Sequence, residues 1–177
     1  MTIPQAAGPT IVIQGEEEPI AIGFEAVAAY HGQAALAMLA VTFQALRAGL
    51  ALLSPDTPPR RSELAIVSGH PGPGVRDAFE FVTRAVTRGA YVVDKSLPEA
   101  RLVSGFDISY SFRIMRGERT VELALRPDAI PERFFTLNFT RGRSDDENAE
   151  LSQLKRTIAA DVLSTPADTL FVIRSLS

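Results

Sequence analysis

The sequence predicts an α+β fold in which helices pack against a mixed or antiparallel sheet. Three observations predict it. One long apolar helix occupies the first third; short apolar or alternating stretches cluster in the middle; a capped amphipathic helix closes the chain. Helices and strands come in blocks, not as repeated βαβ units, which favours a sheet layered with helices over a doubly wound one.

Thr10 to Ile13 reads as a short strand, and Gly15 with three following glutamates reads as an exposed turn. Phe24 to Tyr30 fits one or two helical turns, interrupted at His31-Gly32. The apolar helix then runs from about Gln33 to Leu53. It is apolar nearly all round, so it needs cover on several sides, at the centre of the fold or across a dimer interface. Arg47 is its only charge, with Gln44 three positions earlier, and much of it is alanine. A membrane span of this length is richer in Leu, Ile and Val, so a buried helix of a soluble protein is expected. Pro55, Pro58 and Pro59 with Arg60 and Arg61 read as an exposed linker.

Leu64 to Val67 fits a buried strand entering a loop, Ser68-Gly69-His70-Pro71-Gly72-Pro73-Gly74. Ala78, Phe81, Val82 and Ala85 then recur at helical spacing, with Gly89 near the expected C-cap. Tyr91 to Val93 is a further strand. From Phe106 to Ile114 apolar residues alternate with Asp107, Ser109, Ser111 and Arg113, which predicts a strand with one wet face. Gly117 marks a turn, and Val121, Leu123 and Leu125 a return strand. Ser144 and Glu147 have capping-box spacing, with Asp145 and Asp146 favourable to the helix dipole. The helix they open carries Leu151, Leu154, Ile158 and Val162 on one face. Pro166 stops it before a last strand or tail at Leu170 to Ile173. Phe79, Phe81, Phe106 and Phe112 are expected in the core.

At 177 residues the chain suits one domain, residues 1–177, with a sizeable core. A net charge of −3 argues against a duplex nucleic-acid partner, which needs a basic face. The chain has no cysteine, which removes disulfides, thiolate nucleophiles and iron–sulfur ligation by its own residues. The first residues lack a Lys/Arg run, and Pro4 and Gly8 break that stretch. No secretory signal or membrane segment is expected, and the default address is cytoplasmic.

Several stretches together resemble the FmdE-like domain family of formylmethanofuran dehydrogenase. FEAVAAYHG at 24–32 resembles its opening helix and His-Gly-His-Leu-Cys-Pro-Gly motif, followed as there by a long apolar helix. LAIVSGHPGPGVRDAFEFVT at 64–83 resembles its strand, Cys-Gly-Val-Asp-Ala loop and second helix. Arg88-Gly89, the Asp94-Lys95 strand end, the hairpin at 112–125 and the closing helix with its tail at 162–171 follow in the family's order. The match covers about residues 22–176. It implies that family's fold, similar to the C-terminal domain of glyceraldehyde-3-phosphate dehydrogenase, and a homodimer.

The metal donors of the family are missing. Gln33 replaces the second histidine, Ala35 stands where cysteine is expected, Pro73 takes the second motif's cysteine position, and Arg76 reads as an insertion. A soft metal site needs thiolates or several imidazoles, so no metal or other cofactor is expected. The candidate ligand-binding residues are His31, Gln33, His70, Gly72, Gly74, Arg76, Asp77 and Lys95. In one reading His31 and His70 converge, with Asp77 or Gln33 orienting them near neutral pH. In the other, His31 ends a helix turn and His70 is a solvated loop residue.

A phosphate cradle at Gly69, Gly72 and Gly74 is disfavoured, because Pro71 and Pro73 remove N–H donors and Asp77 places negative charge in the first helical turn. Arg60, Arg61, Arg84, Arg88, Lys95 and Arg101 are candidates for a basic rim, against the ordinary reading of solvated charges. Ser68 and Ser104 lack a nucleophile-elbow motif, so hydrolase chemistry is not expected. The leading expectation is a non-catalytic or accessory protein binding a small anionic ligand or a partner protein. The alternative is an enzyme using His31 with His70 or Asp77 for proton transfer on a small C1- or pterin-related substrate. Dimerisation through the apolar helix is a third reading.

Overall fold

The structure, a computed structural model, describes residues 8–176. Pro4, read above as breaking the N-terminal stretch, lies outside them. Thr10–Gln14 (β1) pairs antiparallel with Pro19–Gly23 (β2), so that Ile11 faces Ile22 and both are buried. The β2 strand was not expected: three of its five residues are exposed, leaving little pattern to read.

Phe24–His31 (α1) ends where Gly32 adopts a φ of 85° and returns its N–H to the carbonyls of Ala28 and Ala29. Gln33 also takes a left-handed φ, 62°. Two consecutive left-handed residues cannot continue a helix, so the apolar helix, Leu36–Leu53 (α2), starts later than its composition suggested. With mean hydropathy 1.8 it is long and apolar enough to cross a membrane, yet 78% of it is buried inside the fold. The chain itself therefore supplies the cover: α2 packs on helices and sheet at once.

Leu64–Ser68 (β3) begins the main sheet after a 3-10 turn at Arg61–Glu63. Pro73–Thr83 (α3) carries it to Tyr91–Val93 (β4), which pairs parallel with β3. Ser111–Arg116 (β5) and Arg119–Leu125 (β6) form a hairpin closed at Gly117, φ 59°. Glu132–Phe139 (α4) and Asp145–Ser164 (α5) lead to Phe171–Leu176 (β7). The strand order is β4-β3-β5-β6-β7, and all pairings except β3–β4 are antiparallel. The fold is α+β with a mixed sheet, as the sequence predicts.

One sheet face is apolar and meets α2. A Cβ on Gly49 would stand 2.7 Å from the Ile114 Cδ1 and 3.3 Å from Leu123 Cδ1, so glycine lets helix and sheet approach closely. The opposite face carries Arg113, bonded to Glu122 at 2.8 Å, with Arg174 next in register. Helix α5 covers another side of α2. Its capping box forms as expected: Ser144 Oγ accepts from the Glu147 N–H at 3.2 Å, and Glu147 accepts from the Ser144 N–H at 2.9 Å.

Five expectations need correction. The strand foreseen over 106–114 begins only at Ser111, because Ser109 N–H bonds Gly69 O and Tyr110 N–H bonds Ala100 O outside the ladder. Its supposed wet residues Ser109 and Ser111 are fully buried, while Phe106, expected in the core, is exposed and stacks on Phe139. Helix α3 ends at Arg84, φ 56°, not near Gly89: the Glu80 carboxylate takes the N–H groups of Val86 and Thr87 and turns the chain. The linker is not uniformly exposed, since Pro59 is buried and its carbonyl accepts from Gln14 N–H.

Candidate functional site

The C-terminus of α1 and the N-termini of α2 and α3 meet. Close packing forces them together: a Cβ on Gly74 would lie 2.6 Å from the Ala35 Cβ. His31, last residue of α1, sets its Nδ1 2.8 Å from Asp77 Oδ2 in α3. Their side chains are 11% and 22% exposed, so the pair is mostly shielded from water. A carboxylate oxygen accepts here, so the ring nitrogen facing it, Nδ1, is the donor of this contact. Arg76 lies 3.2 Å from the other oxygen of Asp77 and offsets its charge. Asp77 is the fifth residue of α3 and no acidic residue occupies the first turn, so the like-charge objection to an anion there is removed.

His70 is built differently, and it is no solvated loop residue. Its backbone N–H and carbonyl both bond the Ser68 hydroxyl, at 3.1 and 2.9 Å. Its Nδ1 accepts the Gly72 N–H at 2.9 Å, and its ring stands edge-on to Tyr110 at 4.9 Å. Burial pushes its pKa down to about 4, so the imidazole is neutral at pH 7. Burial also pushes the hydroxyls of Tyr110 and Tyr91 up, and neither hydroxyl has a hydrogen-bond partner among the described residues.

The structure thus joins four of the eight predicted residues, His31, Gly74, Arg76 and Asp77. His70 and Gly72 make their own closed turn alongside, with no hydrogen bond or ion pair to His31 or Asp77. Gln33 is exposed, and Lys95 reaches Asp107 at 3.8 Å. The basic rim dissolves into local bonds. Arg61 donates to the carbonyls of Val82 and Phe81, Arg88 to those of Leu64 and Thr83, and Arg101 to Lys95 O, Leu97 O and Asp107.

Ala35 and Pro73, beside the His31–Asp77 pair in sequence, offer no side-chain donor. Among the described residues no three His, Asp or Glu side chains gather as metal ligands. Two cavities lie elsewhere, about 630 Å3 beside the C-terminal half of α2 and about 550 Å3 beside the β5–β6 turn. None of the eight candidate residues lines either. Sequence reasoning missed the larger cavity and the two orphaned tyrosine hydroxyls. Gln44 and Arg47, polar in a mostly apolar helix, were the available signal for the cavity.

No family model matches this chain, and no curated protein matches it either.

Proposed function

We propose that this chain is a non-catalytic binding or accessory protein on an FmdE-like framework, which takes a small anionic ligand where α1, α2 and α3 meet. The observation that carries it is the His31–Asp77 pair with Arg76 beside it. Two cationic or protonatable groups surround one carboxylate there, close to two helix N-termini that favour negative charge. The contact of Ala35 with Gly74 supports the framework, because the family places metal donors in these same two motifs. The resemblance also carries a homodimer, and the reading of the N-terminus and of the apolar helix carries a cytoplasmic address. Exposed Val92 and Val93 on edge strand β4 are apolar surface that a partner copy would cover.

A proton-transfer enzyme is the second reading, and the same pair favours it: a carboxylate on Nδ1 is how a general base is oriented. Against it, His70 stands apart and neither histidine lines a described cavity. One experiment separates the readings. The protein, purified without chelator, is weighed by native mass spectrometry, then titrated with formate and with inorganic phosphate while the His31 ring is followed by NMR. The proposal expects no stoichiometric transition metal, a saturable His31 shift, and loss of that shift in Asp77→Asn. A bound transition metal, or a His31 ring indifferent to both anions, overturns it.

A further inference from the structure

We infer that the 630 Å3 cavity is a separate binding site for a small amphipathic monocarboxylate, with Arg47 receiving the acid group. Ile11, Leu50, Leu52, Pro55 and Ile173 contribute apolar wall, from β1, the end of α2, the following linker and β7. The volume falls in the range of roughly 300–1,000 Å3 usual for small-molecule sites. Arg47 lies about 17 Å along the α2 axis from Leu36, at 1.5 Å per residue. The site is thus distinct from the His31 region and does not depend on its reading.

Arg47 is the only charge on α2, and it lines this cavity half-buried. Nine ion pairs join the described residues, and Arg47 is in none of them. Among the described residues its one hydrogen-bond partner is neutral: Nη1 donates to Gln44 Oε1 at 2.8 Å. Gln44 is fully buried, and its Nε2 donates to Val162 O at 2.7 Å and Thr165 O at 2.9 Å. Those two bonds fix which way the amide points, so Oε1 faces Arg47 and holds the guanidinium in place. A half-buried cation beside apolar walls carries a desolvation cost that an incoming anion offsets. The planar fork matches a carboxylate, and the walls match a hydrocarbon chain. Asp56 and Asp168 are exposed lining residues. They repel a second negative group, which selects a monoacid over a diacid.

The test is a calorimetric and NMR titration of the full chain with octanoate, octan-1-ol and suberate, each below its aggregation limit. Octanoate is expected to saturate one site and to bind about tenfold tighter than octan-1-ol, the worth of one charge-assisted bond. Suberate is expected to bind more weakly than octanoate. Arg47→Met, checked for folding by circular dichroism, is expected to erase the preference of octanoate over the alcohol. Arg47→Lys, which keeps the charge without the fork, retains part of it. Equal binding of acid and alcohol to the native chain, no binding of either, or octanoate shifts centred on His31 instead of residues 47–52 overturns the inference. An undiminished preference in Arg47→Met does so too.

Discussion

Acidification loads a proton onto His70 in the unfolded chain well before it does so in the folded one. The ordinary imidazole value is 6.5, and burial against Tyr110 holds His70 at about 4. A base with a depressed folded-state pKa favours folding while it is neutral in both states. That advantage shrinks as pH falls below 6.5, where only the unfolded chain gains the proton, and the loss is complete below about 4. At about 1.4 kcal/mol per pH unit of separation, the loss reaches about 2 kcal/mol by pH 5 and about 3 kcal/mol in full. Urea unfolding at pH 8, 7, 6, 5 and 4.5 measures it, run on the native chain and on His70→Gln. The substitution costs a constant amount, because the Gly72 N–H loses its ring acceptor. His31 and the carboxylates are common to both proteins and cancel in the difference. The native chain is expected to lose about 2 kcal/mol more than the variant between pH 8 and pH 5. Stability curves that stay parallel across that interval refute a buried neutral His70.

Gly74→Ala is expected to destabilise by about 1–3 kcal/mol even though alanine is the better helix former, because its Cβ would press on Ala35 at 2.6 Å and part α3 from α2. A lower midpoint in thermal unfolding checks it, and an unchanged or raised midpoint contradicts the close approach. Ser144→Ala removes the acceptor for the Glu147 N–H and half of the capping box, for a loss of about 1 kcal/mol. Hydrogen exchange in the first turn of α5 is expected to quicken while β3 amides stay protected.

The elements that were legible in the sequence are those whose signal is local. The Ser144–Glu147 spacing placed the start of α5, and the nearly all-round apolar surface of α2 announced a helix that needs cover on several sides. The β3 strand stood out as a short apolar run before a Gly/Pro loop. What failed depends on partners remote in sequence. Alternation from Phe106 to Ile114 is real, but an extended loop alternates just as a strand does. Only the bonds from Ser109 to Gly69 and from Tyr110 to Ala100 decide which it is. The end of α3 turns on Glu80 capturing two downstream amides, which no periodicity reveals. Helix α4 had no expectation at all, since Phe134, Phe135 and Leu137 sit in a short segment without a side-chain cap. In the site, Asp77 was one of two residues expected to orient His31, and the structure pairs the two while His70, expected to join them in that reading, makes a turn of its own. The inward turn of His70 was not foreseen, because it depends on Tyr110 forty residues away. Arg47 was visible as an oddity, but its cavity is assembled from both ends of the chain.

The burial of α2 also has a consequence for synthesis on the ribosome. Gln44 bonds Val162, 118 positions further on. At about 5–20 residues per second, roughly 6–24 s pass between the making of the two. Through that interval a segment greasy enough to enter a bilayer waits without its final neighbours. The nascent chain must therefore be shielded by a chaperone or by transient contacts of its own, and slow translation is expected to cost yield through aggregation before it costs anything in the finished protein.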